Sequence, residues 1–438
     1  MYKEASKEVD IDYYDVTSLY PWVNKTGKIP LSHPEIFTEN IDDIDNYEGL
    51  VKCKVIPPRQ LFHPILPCKV NGKLLFHLCK SCAETQEQGP CSHSDDERAF
   101  VGTWVTDEVK KAVQFGYKVE RMYEVWHFRD ISQYDRETMT GGLFTEYVNT
   151  FLKLKQEASG WPDWCKTEED KRKYLEMYYQ TEGIRLDYHR IRKNPGLRAL
   201  AKLMLNSFWG KFGQRSNMSQ VDFVEDPSVY FDKLTSDQEE VTFVNFVSPD
   251  MVEMLWKYKQ DFVEANSKTN VVIAAYTTAQ ARLKLYSYLE QLGQRALYAD
   301  TDSVIFSSKE GERKPSLGDF LGDLTDEVPN NKIVSFVTGG PKNYAYCLGK
   351  PDKLGNRTQC KVRGITLNSK TLTSVNYDVL KNLVTKCPDG KVSVIEAHKI
   401  TRDRDTSQLR TVVQRKDYKL VFDKRVLGDA YVSYPYGY

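Results

Sequence analysis

The run Tyr298-Ala299-Asp300-Thr301-Asp302-Ser303 sets two carboxylates one residue apart, with Ala296 and Leu297 before them and Val304, Ile305 and Phe306 after. Apolar flanks around a short polar centre predict strand, tight turn, strand, with the acids at the turn. Carboxylates this close repel, and each raises the other's proton affinity unless a cation stands between them. A hard dication such as Mg²⁺ meets that need, because it takes oxygen ligands and leaves room for substrate phosphates. A solvated acidic hairpin has the same pattern, so the reading depends on what accompanies the turn.

A third acid stands far upstream. Residues 11–16 have the composition of a buried strand, which runs into Asp15-Val16-Thr17-Ser18-Leu19-Tyr20-Pro21. If that strand pairs beside the hairpin, Asp15, Asp300 and Asp302 converge. They could then hold two dications roughly 3.5–4 Å apart, the arrangement used for in-line phosphoryl displacement. Asn194-Pro195-Gly196 opens a helix expected over 197–209. Arg198, Lys202 and Asn206 fall at i, i+4 and i+8 and share one face. Facing a triphosphate, the arginine can clamp with its fork and the lysine can act as a point charge. An exposed basic stripe is the plainer alternative. Leu200, Leu203, Met204 and Phe208 are expected to cover the opposite, packed face, and Gly210 and Gly213 suggest close backbone approach beyond the helix.

Asp-x-x-Ser-Leu-Tyr-Pro, Lys-Leu-Met-Leu-Asn-Ser-Phe-Trp-Gly and Tyr-x-Asp-Thr-Asp-Ser resemble motifs A, B and C of family B DNA polymerases. They occur in order over about 290 residues, from Asp15 to Asp302. Order and spacing resemble the protein-primed branch most, in particular the polymerases of large self-synthesising DNA transposons and related viruses. The resemblance implies Asp15, Asp300 and Asp302 as catalytic acids. Asp15, the Val16 carbonyl and Asp302 would hold two Mg²⁺ ions. Val16, Ser18, Leu19, Tyr20, Arg198, Lys202, Asn206 and Trp209 would bind the nucleotide, with Tyr20 excluding a 2′-hydroxyl. Thr278 and Arg282 resemble a Thr-x-x-Gly-Arg segment, and Lys342 and Tyr344 a Lys-x-Tyr motif; both would contact primer-template DNA. Trp209 stands where many relatives have tyrosine, and Ala281 where glycine is common. The exonuclease domain and Gly-rich linker that precede motif A in relatives are expected to be missing, as in a truncated gene product or a polymerase without proofreading.

The implied fold class is α+β: a right-hand polymerase core of palm, fingers and thumb with a small zinc-bearing insertion. The first palm part is expected over 1–140, with a Cys/His insertion at about 61–100, and fingers over 141–213. A loop-rich insertion is expected over 214–260, the second palm part over 261–370, and the thumb over 371–438. Implied partners are primer-template DNA, dNTPs and a terminal priming protein, and the implied setting is nuclear.

Composition bounds these expectations. The chain has 438 residues, a formal net charge of zero and 12% aromatic residues, ample for a packed core. With no global charge, a polyanion must be held by local patches. Residues 185–215 carry eight Lys/Arg against Asp187 alone, and 391–425 carry ten basic against five acidic residues. No apolar run is long enough for a membrane span, the N-terminus has no signal-peptide pattern, and an intracellular protein is expected. Nine unevenly clustered cysteines argue against a disulfide framework. Four of the ligand-type residues, Cys79-x2-Cys82-x8-Cys91-x-His93, suit a structural tetrahedral Zn²⁺. His77 and Cys68 are alternate ligands, and a set of reduced surface thiols is the competing reading.

The favoured function is template-directed nucleotidyl transfer from a dNTP to a primer 3′-hydroxyl. A nucleic-acid-binding remnant without catalysis is the alternative. Reverse transcription fits less well, because the Lys-x3-Asn-Ser helix between the acid motifs is not expected there.

Overall fold

The computed structural model describes residues 1–264, 267–403, 406 and 408–438; residues 265, 266, 404, 405 and 407, inside the expected second palm part and thumb, lie outside the described residues. At the centre is a four-stranded antiparallel sheet in the order Ala296–Asp300, Ser303–Lys309, Val9–Val16 and Leu324–Asp326. Strand Val9–Val16 is covered on both faces. Tyr14 and Val16 pack with Val304, Phe306, Leu324 and Leu292, while Ile11 and Tyr13 pack with Ile305, Phe336 and Tyr344. Val304, Ile305 and Phe306 are fully buried, and each such side chain contributes about 1.5–3 kcal/mol of burial. Buried apolar side chains on both faces therefore hold this strand pair at the core even though its members are far apart in sequence.

Helix Val271–Leu292 crosses one face of the sheet, started by Asn270, whose side chain accepts from the Val272 and Ile273 N–H groups. A second sheet, Tyr2–Glu4, Ile333–Gly340, Asn343–Leu348 and Thr358–Lys361, lies beside the first. A third sheet, Glu35–Phe37, Lys118–His127, Gly49–Ile56 and Phe100–Val105, packs on helix Thr106–Gln114. Between Gly49–Ile56 and Phe100–Val105 runs the Cys/His segment. Rather than a plain loop, it holds a hairpin, Cys68–Val70 with Lys73–Leu75, and the short helices Lys80–Thr85 and Asp95–Arg98.

Three helices, Thr145–Glu157, Glu168–Glu182 and Pro195–Ser207, form a separate layer with its own core of Val148, Leu152, Tyr174, Tyr178 and Leu205. The layer is tied to helix Leu19–Thr26 by a buried pair, Lys25 Nζ to Glu182 Oε2 at 2.9 Å. The other Glu182 oxygen accepts from Leu321 N at 2.8 Å, so the charges are held on several sides.

Residues 214–260 are more ordered than expected. They form a three-stranded antiparallel sheet, Gln220–Val224, Met251–Tyr258 and Glu239–Ser248, with helix Pro227–Thr235. Towards the C-terminus, helix Tyr377–Thr385 precedes a long hairpin, Lys391–Asp403 with Gln408–Lys419. Arg402 on that hairpin forks onto Glu253 of the three-stranded sheet at 3.2 and 3.1 Å. After the hairpin, the last residues turn back to the Cys/His segment, where Leu78 N donates to the Tyr436 carbonyl at 2.7 Å. No helix among the described residues is long and apolar enough to cross a membrane.

Candidate active site

Ser303 pairs directly with Asp15, and Val16 N donates to the Asp302 carbonyl at 2.6 Å. The two acids therefore sit side by side at the end of the central strands. Thr301 at the turn has φ 51°, a left-handed conformation that a non-glycine residue holds only under local constraint. Burial is the main cause that pushes the Asp15 carboxyl up to about 7, and the charges of Asp302 and Glu327 add to it. Burial likewise raises Asp302, and Asp300 adds to it. Lys202 opposes the shift at both acids, joined by Lys361 at Asp15 and by Lys342 at Asp302. Asp300 stands slightly aside: its two oxygens are near the Tyr298 hydroxyl at 3.4 Å and the Thr301 hydroxyl at 3.2 Å.

The second sheet closes the back of the site. Lys342, with φ 59°, donates its N–H to Tyr298 Oη at 3.0 Å. Tyr344 lies 5.0 Å ring to ring from Tyr298, and its hydroxyl meets that of Tyr13 at 3.2 Å. Lys342 and Tyr344 are thus brought against the acid hairpin. The resulting cleft, about 640 Å³, is lined by the three aspartates and also by Lys361 and Arg363. Those last two cations carry no motif in the sequence. Lys361 ends strand Thr358–Lys361 and Arg363 follows it, and the pairing of that strand with Asn343–Leu348 carries them here.

Across the cleft, Ser18 caps helix Leu19–Thr26 in a left-handed conformation, φ 54°, and Leu19 is buried beneath. Tyr20 stacks on Trp209 with centroids 4.5 Å apart and planes 28° apart, joining two candidate nucleotide-site residues from opposite layers. Burial raises the Tyr20 hydroxyl, Asp302 adds to it, and the charge of Arg282 opposes. Arg198, Lys202 and Asn206 are exposed on helix Pro195–Ser207. The expected packed face needs correction: Leu200 is 55% and Leu203 60% exposed, whereas Ala201 and Leu205 are the buried residues. Helix Thr145–Glu157 covers a face one position round from the one inferred, with Tyr147 Oη donating to the Met204 carbonyl at 3.1 Å.

That neighbouring helix supplies a cation the sequence reading missed. Lys155 Nζ donates to Ser18 Oγ at 3.2 Å. Burial first, and then the nearby charges of Arg198 and Lys202, lower its pKa to about 8. Three cations from two helices therefore surround one patch beside Ser18. Such crowding is costly unless an anion joins them.

Thr278 and Arg282 lie on helix Val271–Leu292, where their polar atoms already have partners. Thr278 bonds back to Ala274 and Ala275 of its own helix. Arg282 forks onto the buried Glu108 at 2.8 and 3.0 Å. Away from the cleft, Cys79, Cys82, Cys91 and His93 bring one ligand atom each within 4.8 Å of one another. The three sulfurs lie 3.6, 3.3 and 3.7 Å from His93 Nδ1. His77 is buried against the Phe100 ring and Cys68 is half-buried, and neither joins the set.

The profile of the family described as DNA polymerase type B, organellar and viral, matches residues 1–166 and 164–292. A probable DNA polymerase of Neurospora intermedia is 21% identical over 304 residues, covering 68% of this chain and 25% of that protein. A probable DNA polymerase of Agaricus bitorquis is 22% identical over 401 residues, covering 84% and 40%. The chain thus spans a quarter to two fifths of the length of these curated relatives. Among solved structures, Phi29 DNA polymerase complexed with primer-template DNA superposes with a TM-score of 0.56 at 14% identity, over 96% of this chain and 60% of that one. The α+β right-hand architecture expected from the motifs is the fold the two share.

Proposed function

The chain belongs to the organellar and viral type B DNA polymerases, and from that membership we propose that it acts as the core of a template-directed DNA polymerase. A primer 3′-oxygen would bond to the α-phosphorus of a dNTP, and the α–β bridging bond would break to release pyrophosphate. The observation that carries this reading is the Ser303–Asp15 pairing, which sets Asp15 beside Asp302 under the charge of Lys202.

Two half-buried acids, Asp15 raised by burial and by Asp302, and Asp302 raised by burial and by Asp300, are a donor set suited to hard divalent cations. Mg²⁺ held by Asp15, Asp302 and the Val16 carbonyl would neutralise the triphosphate and the attacking oxygen. Everything else falls to the chain. Lys155, Arg198 and Lys202 would grip the triphosphate, and Asn206 would orient it. Asp300 would brace the turn, and Lys342 and Tyr344 would seat the primer end. Catalysis here is positioning plus charge neutralisation. Primer-template DNA and dNTPs are the proposed partners, with a priming protein and a mobile-element or viral origin as finer parts of the reading. Extension of a primed template by the purified chain, with Mg²⁺ and dNTPs, is the expected result. A chain that binds that template and never extends it would leave only the binding-remnant reading.

Tyr20 would lie under the sugar with Trp209 behind it. Tyr20→Val is expected to reduce discrimination against ribonucleotides by about 10–100-fold, read as the ratio of kcat/KM for a dNTP and its rNTP. An unchanged ratio removes Tyr20 from that role. The Lys155 reading predicts a pH dependence. Its pKa is depressed to about 8 in the free site, and a bound triphosphate would restore the charged form. Binding therefore takes up a proton above pH 8, and the KM for dNTP is expected to rise by up to about tenfold per pH unit there. Lys155→Arg, charged throughout, should flatten that rise; a rise identical in both proteins discards the assignment.

The Cys79, Cys82, Cys91 and His93 set has the donors and the closeness of a four-ligand Zn²⁺ site with no open position, and so a structural one.

A further inference from the structure

The Cys/His segment carries, besides its four ligands, residues 423–438. Tyr436 is fully buried, and it packs on Cys79, Cys82, Ala83, Val70 and Leu75. Its carbonyl accepts from Leu78 N, the residue next to a ligand, at 2.7 Å. Gly437, with φ +83°, lies so close that an added Cβ would stand 2.3 Å from the Cys79 Cβ. The approach is continuous from the hairpin onwards. Asp423 pairs with Lys73, Lys424 Nζ donates to the Leu74 carbonyl at 3.1 Å, and Leu427 N donates to Gln88 Oε1 at 3.1 Å. Tyr436 and the ligands Cys79 and Cys82 thus share one buried cluster.

We propose that zinc bound by Cys79, Cys82, Cys91 and His93 builds the dock for residues 424–438, so that the metal adds a fastening where the chain leaves the Lys391–Asp403 and Gln408–Lys419 hairpin. This rests on the zinc reading above. The segment is short, and its own apolar cluster is small. Without the metal, three thiols and an imidazole have little to hold them together, and a site of this kind takes much of its folding free energy from the ion. The far end of the same hairpin is fastened independently through Arg402 and Glu253. The base is also held by Val394, Tyr418 and Leu420, which are buried with Val337, Ala345 and Leu380 of the second sheet and helix Tyr377–Thr385; zinc therefore controls one attachment among several and leaves the others in place. If the hairpin lies over duplex DNA, losing the zinc-dependent attachment speeds release of the DNA.

The test has three arms on the full chain. Metal analysis should find one zinc per molecule, lost in Cys82→Ser; no zinc overturns the proposal at its premise. Amide exchange of residues 432–438 should speed up by at least about tenfold when zinc is chelated and recover on adding it back, while the central strands keep their protection. An unchanged tail overturns the proposal even if zinc is bound. A chain ending at residue 423, and independently Tyr436→Ala, should retain zinc and release primer-template several-fold faster, with no further response to chelator. Release at the parent rate in both variants overturns the link to the hairpin. The first two arms need no polymerase activity, so their failure is distinct from a failure of the catalytic reading.

Discussion

Asp302→Ala and Asp15→Ala are each expected to lower primer extension by more than about 10³-fold, since loss of even one neutral hydrogen-bond donor from a preorganised site costs about 10²–10³. The acids are an adjacent pair, with Asp15 opposite Ser303, and either loss leaves half of a divalent-cation site. Fold damage can be separated from loss of chemistry by stability. Asp15 holds its proton up to about 7 in the fold, against an ordinary value of 3.8. Its ionised form therefore destabilises the native state, increasingly as pH rises from about 4 to about 7. In chelator at pH 8, Asp15→Asn should melt higher than the parent, and the gain should shrink towards pH 4. A variant that is both inactive and less stable at pH 8 would point to structural damage. A stable variant that extends normally would end the two-acid account.

Lys202→Ala is the second large effect, expected at about 10²–10³-fold in kcat/KM for the dNTP. The charge of Lys202 reaches both Asp15 and Asp302, so the residue faces the acids, and the proposed path of the triphosphate runs between them. Lys155 and Arg198 remain in the variant and should preserve some binding. Lys202→Arg should recover part of the loss, because the charge is kept while its shape changes. Removing the charge should also push the Asp15 carboxyl above about 7, visible as a shift in the pH dependence of stability. A loss below threefold, with no such shift, would assign the triphosphate to other residues.

The central strands and the main helices were legible because their signals are local. Apolar runs flank the Asp300–Asp302 turn, and Asn194-Pro195 marks a helix start; the structure has the helix at Pro195–Ser207. The face of that helix was harder to read. Leucines at 200 and 203 fit a packed stripe by spacing, yet Ala201 and Leu205 meet the neighbour. Lys155, Lys361 and Arg363 had no local signal, since their relevance arises from packing between segments distant in sequence. The sheet within 214–260 reads in sequence as a loop-rich insertion, because its strands are joined through long-range pairing that short apolar runs do not reveal. Arg282 matched a motif, while its partner Glu108, on another helix, could not be inferred from spacing.

The pairing of Val9–Val16 with Ser303–Lys309 has a consequence for synthesis. The first of these strands leaves the ribosome roughly 15–60 s before its partner, at about 5–20 residues per second. Through that interval Ile11, Tyr13, Tyr14 and Val16 have no sheet to join. Nascent chains halted before residue 303 should thus expose a sticky segment at residues 9–16 to chaperones, and the acid pair is assembled only after residue 303 has emerged.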